Sequence, residues 1–239
     1  MIYHSDLAFI HNVGFSDLAR SAAAFIAKEL KGAGFSQGLV VDLGCGSGAL
    51  ASEIVRSGFR VFGVDASPAM IEIARQAAPE ADFEVSRIED VRLPRCIAVA
   101  SIGEALSYVP GPSRVNIDDI FQKVFASLDR SGRFFFDVIE RGEPVMFYRA
   151  ERSGDGWRVQ VDVSEDANTA IIKRRITTSR EIDGKTRSST ELHYVQTFSR
   201  DELIRALAEA GFAASFAHGY GEVAAGPRRL IVKAIKSSA

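Results

Sequence analysis

The stretch GLVVDLGCGSGAL, residues 38–50, constrains the fold more than any other part of the chain. It places three glycines within five positions between an apolar run and a helical pattern. Val40 and Val41 predict a buried strand, and the apolar residues between Ala49 and Val55 predict a helix. Glycine lacks a Cβ atom, so it adopts positive φ angles easily and lets the backbone approach a ligand. A strand, a glycine-rich turn and a helix in this order predict a nucleotide-cofactor site.

The segments around this turn alternate between strands and helices. Strands are predicted at FRVFGVD, DFEVS, CIAVASI and RFFFDVI. Ser67 and Pro68 are typical of a helix start, and apolar residues from Ile117 to Leu128 recur at helical spacing. Residues 1–35 are predicted to form an N-terminal cap segment and a helix that begins at Ser16. Continuous apolar strands alternating with helices predict a parallel sheet covered on both faces.

Residues 142–198 follow a different period. Trp157, Val159 and Val163 alternate with polar residues, and Asp183–Gly184 is a strong hairpin signal. This pattern predicts an antiparallel insert of about three strands. After it, a helix and two strands return. The predicted fold class is therefore α/β, in a single domain over residues 1–239. It has a Rossmann-like, seven-stranded, mostly parallel sheet with helices on both faces, an antiparallel last strand and an antiparallel β insert after the fifth strand.

Composition restricts the partners and the compartment. The chain has 239 residues and a net charge of −2, which gives no field for holding a polyanion, so no nucleic-acid partner is predicted. The two cysteines lack metal-ligand spacing and suggest no disulfide, which predicts a reducing, cytoplasmic setting and no metal. The N-terminus is too polar for a signal peptide, and no membrane association is expected.

The spacing of the glycines separates two classes of cofactor. A dinucleotide turn is G-x-G-x-x-G, whereas this turn is G-x-G-x-G. Asp42 would repel a pyrophosphate but would favour a cationic ammonium. Asp65 lies 21 positions after Gly44 (65 − 44), a spacing that suits hydrogen bonds to both hydroxyls of a ribose. An ammonium and a ribose without phosphate describe S-adenosylmethionine better than a nicotinamide dinucleotide.

Two motifs, VVDLGCGSG and VFGVDASPAMIEIAR, resemble the first two motifs of the class I S-adenosylmethionine-dependent methyltransferases. The resemblance extends over residues 36–139. It implies that the turn backbone follows the methionine part of the cofactor, with Asp42 near its ammonium and Asp65 at its ribose. It also implies that two residues after the second strand line the adenine. The residues implied are Asp42, Gly44, Cys45, Gly46, Asp65, Ala66 and Met70.

The third motif departs from this family. The family often has an acid after the third strand that accepts from the adenine amino group, but the matching pair here is Arg87–Ile88. An arginine cannot accept a hydrogen bond. Either Arg87 stacks on the adenine, or Glu89 or Asp90 supplies the acceptor.

The segment SIGEALSYV lacks the proline-containing tetrapeptide of enzymes that methylate nucleic-acid bases or glutamine side chains. It is similar to small-molecule N-methyltransferases of the glycine and amino-sugar type. That similarity places Ser101 and Ile102 at the methionine end of the cofactor, and Glu104 and Tyr108 at the acceptor.

The same similarity implies that the insert of residues 142–198 forms a lid over the acceptor. In the insert, His193 shares a strand face with Glu191 and is a candidate general base. In the N-terminal segment, His11 and Phe15 are candidate neighbours of the cofactor.

The predicted function is in-line transfer of a methyl group from S-adenosylmethionine to a nitrogen or oxygen of a small-molecule acceptor. The alternatives are a non-catalytic module that binds this cofactor and uses the insert as a dimer surface, or an RNA or protein methyltransferase. A homodimer is left open.

Overall fold

The computed structural model describes residues 3–221 and 223–237. The helices are α1 (Ser5–Gly14), α2 (Asp17–Gly32), α3 (Ala49–Arg56), α4 (Pro68–Ala77), α5 (Asp118–Ser127) and α6 (Arg200–Glu209), with a 3₁₀ turn at Ala105–Ser107. The strands are β1 (Leu39–Leu43), β2 (Arg60–Asp65), β3 (Asp82–Val85), β4 (Cys96–Ser101), β5 (Tyr108–Val109), β6 (Leu128–Ile139), β7 (Phe147–Gly154), β8 (Trp157–Asp166), β9 (Ile171–Ile182), β10 (Lys185–Gln196), β11 (Phe212–Ala217), β12 (Gly219–Tyr220), β13 (Val223–Ala224) and β14 (Arg229–Lys236).

A seven-stranded sheet forms the centre of the molecule, in the order β11-β14-β6-β4-β1-β2-β3. Only β14, the last strand, runs antiparallel to its neighbours β6 and β11. The predicted fold class is confirmed. The strand order reverses between β1 and β4, so a crevice opens at the carboxyl ends of these strands, where ligands bind in open α/β sheets.

Both faces of this sheet are buried, as the continuous apolar strands predict. In β6, Phe134 and Phe136 pack on one face with Phe121 of α5, while Phe135 packs on the other face with the α2 and α3 residues. All three β6 phenylalanines are fully buried. The helices on both faces therefore exclude water from the strands that carry the crevice.

Two helices begin at a side-chain cap, and the start at Ser67 confirms the sequence prediction. The Ser67 hydroxyl accepts a hydrogen bond from the Met70 N–H (3.2 Å), and Ser199 and Glu202 form a complete capping box on α6. Ser16 lies at the N-cap position of α2, as predicted, but its hydroxyl donates to the Asn12 carbonyl (2.6 Å) and makes no capping hydrogen bond. The prediction of a first helix from Ser16 missed α1, which precedes it.

A second, five-stranded antiparallel sheet, called here the insert sheet, has the order β5-β10-β9-β8-β7. Four of its strands come from residues 142–198, one more than predicted, and β5 joins from the loop after β4. The extra strand is β7, whose sequence FYRAERSG does not alternate because both of its faces are exposed. Helix α1 packs on the insert sheet through Leu7 and Ile10. Within the described ranges, no helix is long and apolar enough to cross a membrane.

Candidate functional site

A cavity of about 470 Å³ lies at the carboxyl ends of β1, β2 and β4, between the seven-stranded sheet, the insert sheet and α1. Most of the predicted cofactor residues lie on its wall. Those on the wall are Gly44, Gly46, Asp65, Ala66, Met70, Arg87, Ile88 and Ile102. Asp42, Cys45 and Ser101 lie behind the wall, and the Ser101 hydroxyl donates to the Leu43 carbonyl (2.8 Å).

The glycines of the turn are required by its backbone. Gly44, Gly46 and Gly48 have φ angles of 73°, 52° and 78°. A Cβ on Gly44 would lie 2.4 Å from the Cβ of Ala105, so the two loops approach too closely for any side chain. The N–H groups of Gly44 and Cys45 both donate to the Val64 carbonyl, at 2.7 and 2.9 Å. The turn is thus held against the end of β2.

Asp65 is fixed at the cavity wall by two backbone donors. Its Oδ2 accepts from the Gly46 N–H (3.0 Å) and its Oδ1 accepts from the Ser67 N–H (2.8 Å). Burial raises the pKa of this carboxyl, although both hydrogen bonds oppose the shift. Each oxygen keeps a further lone pair for a ligand hydroxyl.

Asp42 lies beneath the turn, 2% exposed, and its Oδ2 has no hydrogen-bond partner in the described part of the chain. Burial and, to a smaller extent, the charge of Asp65 raise the pKa of Asp42 to about 7. A buried carboxylate without a counter-charge is costly. A cationic ammonium at the turn would satisfy it. Together with the glycine turn and Asp65, this orphaned oxygen shows that the residues present fit S-adenosylmethionine.

The end of the cavity at which the adenine is predicted has Arg87, Ile88 and Glu89 on its wall. Arg87 pairs with Glu89 through contacts of 3.3 and 3.4 Å, and both side chains are partly exposed. Asp90, the other candidate acceptor, is not on the wall. Lys123 of α5 donates to the Ile88 carbonyl (3.4 Å), which helps to hold this loop.

Of the three predicted catalytic residues, Tyr108 alone lies on the cavity wall. Its hydroxyl is 3.0 Å from the hydroxyl of Tyr3, a cavity residue that the sequence did not indicate. His193 is 1% exposed and lies behind these two rings, with centroid distances of 5.8 Å to Tyr108 and 5.1 Å to Tyr3. Its Nε2 is 2.9 Å from Glu191 Oε2. His193 therefore contacts the cavity only through the two tyrosines.

Glu104 joins the two sheets instead of facing the cavity. Its carboxylate accepts from Arg174 of β9 at 2.7 and 3.2 Å and lies 3.6 Å from Arg229 of β14. Burial opposes its ionisation, but the charges of Arg174 and Arg229 prevail and lower the pKa of Glu104. Arg174 is largely buried, whereas its neighbours Lys173 and Arg175 are exposed on the other face of β9.

Two buried polar atoms belong to cavity residues and have no partner among the described residues. One is His11 Nδ1, and the other is Gln196 Nε2 at the end of β10. Burial lowers the pKa of His11 to about 4 against the opposing charge of Glu104, so its ring is neutral at physiological pH. Phe15 stacks on His11 (6.0 Å) but does not reach the wall. No sequence pattern singled out Gln196.

The N-terminal segment is clamped over the cavity by carboxylates. Glu191 of the insert sheet accepts from the N–H groups of Tyr3 (2.7 Å) and His4 (2.9 Å) at the start of α1. Asp6 of α1 in turn accepts from Arg180 (3.1 Å) and Arg187 (2.6 Å). These contacts hold Tyr3 and His11 at the cavity.

Residues 40–132 match the family model described as "Methyltransferase domain". This stretch of the chain is therefore a methyltransferase domain. The prediction of an S-adenosylmethionine-dependent methyltransferase from the two glycine-turn motifs is confirmed, and S-adenosylmethionine is the cofactor of this class of enzymes.

Relatives in sequence agree with this domain. A methyltransferase of Geobacillus sp. (strain WCH70) is 28% identical over 210 residues, which cover 79% of this chain and 80% of that protein. The ubiquinone biosynthesis O-methyltransferase of Proteus mirabilis is 30% identical over 114 residues, 45% of this chain and 44% of the relative. The chain thus matches less than half the length of that O-methyltransferase.

Solved structures share the whole fold. An S-adenosylmethionine-dependent methyltransferase from Clostridium acetobutylicum superposes with a TM-score of 0.81 at 13% identity, covering 96% of this chain and 97% of that one. DesVI of Streptomyces venezuelae gives a TM-score of 0.79 at 18% identity and 98% coverage of both chains. CalS10, an amino pentose methyltransferase from Micromonospora echinaspora, gives 0.76 at 18% identity, with 99% and 98% covered. At these identities the likeness concerns the fold.

Proposed function

We propose that this chain transfers a methyl group from S-adenosylmethionine to a nitrogen or oxygen of a small-molecule acceptor. The observation that carries the proposal is one continuous cavity that contains both the glycine turn and the group Tyr3, Tyr108 and His11. A cofactor held at the turn and an acceptor beneath the insert sheet would therefore share one enclosed space.

The residues of this chain bind the cofactor and orient the acceptor. When bound, the cofactor supplies an electrophilic methyl group on a sulfonium. Asp42, behind the turn, would favour its ammonium by charge, and Asp65, held by the Gly46 and Ser67 amides, would accept hydrogen bonds from the ribose. The rate then comes mostly from fixing the acceptor in line with the methyl group. The insert sheet and α1 contribute by excluding water from this space.

His11 offers a neutral imidazole ring to the acceptor at the cavity wall. Its ring is neutral and its Nδ1 has no partner within the described ranges. His193, the base considered from the sequence, lies behind Tyr3 and Tyr108 and is 1% exposed. We therefore assign to His11 a hydrogen bond that orients the acceptor, and to His193 a supporting position behind the two tyrosines.

Two further observations support a small acceptor. Solved structures with the same fold include amino-sugar methyltransferases, among them CalS10 and the sugar N-methyltransferase KedS8. The cavity lies under the insert sheet, and Arg174, the arginine nearest to it on β9, is already paired with Glu104. Arg87 on the cavity wall is likewise paired with Glu89, so neither of these two arginines among the described residues is left unpaired for a phosphate backbone.

The test is calorimetry followed by a turnover panel. We expect S-adenosylhomocysteine to bind the wild-type protein and the control Glu80→Ala, an exposed acid away from the cavity, and to bind Asp65→Ala much more weakly. A panel of small amines, amino acids, sugars and phenols is then read by release of S-adenosylhomocysteine. Turnover on total RNA or bulk protein, with every small acceptor inert, would contradict the proposal.

A further inference from the structure

Strand β7 is the outer strand of the insert sheet and has an open edge. It pairs with β8 along one side, and no strand of the described residues pairs with its other side. All eight of its residues are exposed, and Phe147 is 85% exposed. Natural sheets shorten, twist, cover or charge such an edge, because it is a template for pairing with another chain, and β7 carries Arg149, Glu151 and Arg152 along it.

The hydrogen bonds to β8 determine which backbone groups face this open edge. The Glu165 N–H donates to the Met146 carbonyl (2.8 Å), just before β7 begins. In an antiparallel ladder the bonded residues alternate, so Tyr148, Ala150 and Arg152 turn their N–H and C=O groups towards β8. The N–H and C=O groups of Arg149 and Glu151 are therefore free at the open edge.

The charges on β7 select one symmetric partner and one register. In a two-fold pairing of two copies, the residue at the axis lies opposite its own copy. An axis at Arg149 or at Glu151 would place like charges opposite each other. An axis at Ala150 places each Arg149 opposite Glu151 of the second copy, and Phe147 opposite Ser153. We propose that β7 pairs antiparallel with β7 of a second copy, with Ala150 at the two-fold axis.

This register also fits the backbone. Arg149 and Glu151 of the second copy would form a hydrogen-bonded pair, since both have free N–H and C=O groups at the edge. The charges of β7 and β8 already alternate in sign across the insert sheet. Arg149 pairs with Asp162 (2.5 Å), and Glu151 pairs with Arg158 (2.7 Å). The two insert sheets would become one continuous sheet, with the cavities on separate protomers.

The first test is a disulfide across the axis. Ala150→Cys would place two cysteines in a non-hydrogen-bonded pair, with Cα atoms about 4.5 Å apart, within the range of about 4.4–6.8 Å for a disulfide. We expect rapid oxidation to a covalent dimer. Glu151→Cys is the matched control, since its copy lies on the diagonal at about 7–8 Å and should react much more slowly. The native Cys45 and Cys96 are buried and do not interfere.

The second test reverses single charges on β7 and measures whether the protein is a monomer or a dimer. The method is sedimentation velocity over about a hundredfold range of protein concentration. We expect the wild-type chain to be a dimer, and Arg149→Glu and Glu151→Arg each to be shifted towards monomer. An equal mixture of these two variants should recover the dimer, because every opposed pair then carries opposite charges. A monomeric wild-type chain would overturn the proposal. A wild-type dimer in which Ala150→Cys reacts no faster than Glu151→Cys would overturn it as well.

Discussion

The seven-stranded sheet and the insert sheet build the two sides of the same cavity in different ways. The cofactor side depends on local features, such as the glycine turn, in which Gly46 and Asp65 are 19 residues apart. The opposite side depends on contacts between distant residues. Glu104 and Arg174 are 70 residues apart, and Tyr3 and Glu191 are 188 apart. Local sequence thus defines the cofactor side, while tertiary structure assembles the acceptor side.

The largest expected effect is the loss of the ion pair between the two sheets. Arg174→Met leaves the Glu104 carboxylate buried with only Arg229 nearby. Breaking a buried pair in this way costs about 3–5 kcal/mol. We expect a fall of this size in the free energy of unfolding, measured with urea.

Two controls sharpen that measurement. Arg205→Met removes an exposed pair on α6, Arg205 with Glu209, and should change the free energy by less than about 0.5 kcal/mol. The double variant Arg174→Met, Glu104→Gln should recover part of the loss because no charge is left buried. An Arg174→Met variant as stable as Arg205→Met would show that the pair does not couple the sheets.

The second prediction concerns the close approach of Gly44 to Ala105 on the cofactor side of the cavity. Gly44→Ala would bring a Cβ to within 2.4 Å of Ala105 at a φ of 73°, and should cost about 1–3 kcal/mol of stability and abolish binding of S-adenosylhomocysteine. Gly46→Ala also has a positive φ, but no atom lies within 4 Å of its Cβ. It should cost only about 1 kcal/mol, the price of the backbone conformation. Thermal unfolding and calorimetry compare the two, and equal losses would contradict the close approach of the loops.

The third prediction concerns pH. The pKa of Asp42 is raised in the folded protein to about 7, so the folded state holds a proton that the unfolded chain has released. Stability of the ligand-free protein should therefore fall as pH rises from about 4 to about 7. Asp42→Asn should remove that part of the fall, as measured by urea unfolding across this range.

Cofactor binding should also depend on the protonation of Asp42, but here the affinity should rise as pH rises. An ammonium favours ionised Asp42, so affinity for S-adenosylhomocysteine should drop about tenfold per pH unit below 7 and level off above it. Calorimetry from pH 5.5 to 8.5 would measure this, with Asp42→Asn as the flat reference. A wild-type profile as flat as that of the variant would place the ammonium away from Asp42.

The smallest expected effect is at the rim of the adenine end. Arg87 is about half exposed and pairs only with neighbouring acids of its own loop. Arg87→Ala should change stability by less than about 0.5 kcal/mol. Binding of S-adenosylhomocysteine should weaken by no more than a few-fold, measured by calorimetry. A loss of a hundredfold or more would instead favour direct stacking of Arg87 on the adenine.

Most of the seven-stranded sheet could be predicted from the sequence, because its strands are continuous apolar runs. Phe134, Phe135 and Phe136, for example, can all be buried only in a strand that is covered on both faces. The sequence was also sufficient for most of the cofactor wall, because glycine spacing and the acid after β2 act locally. It did not predict β7, which has no buried face to impose a period. Nor did it predict α1, whose apolar residues are covered by the insert sheet.

The acceptor side was harder for a related reason. Glu104 was expected to face the acceptor, yet it pairs with an arginine whose position depends on the register of β9 and β10. Tyr3 and Gln196 reach the cavity only because strands far apart in the chain lie beside each other. The identity of a side chain does not reveal such partners, and the short pattern around it does not either.

The clamp formed by Glu191 has a consequence for the order of synthesis. Tyr3 and His4 are synthesised before the carboxylate that accepts hydrogen bonds from their N–H groups, which lies 187 or more residues later in the chain. The β1 turn and Asp65 are complete long before that. A nascent chain therefore completes the glycine turn and Asp65 well before it can make the contacts that hold the N-terminal segment over the cavity.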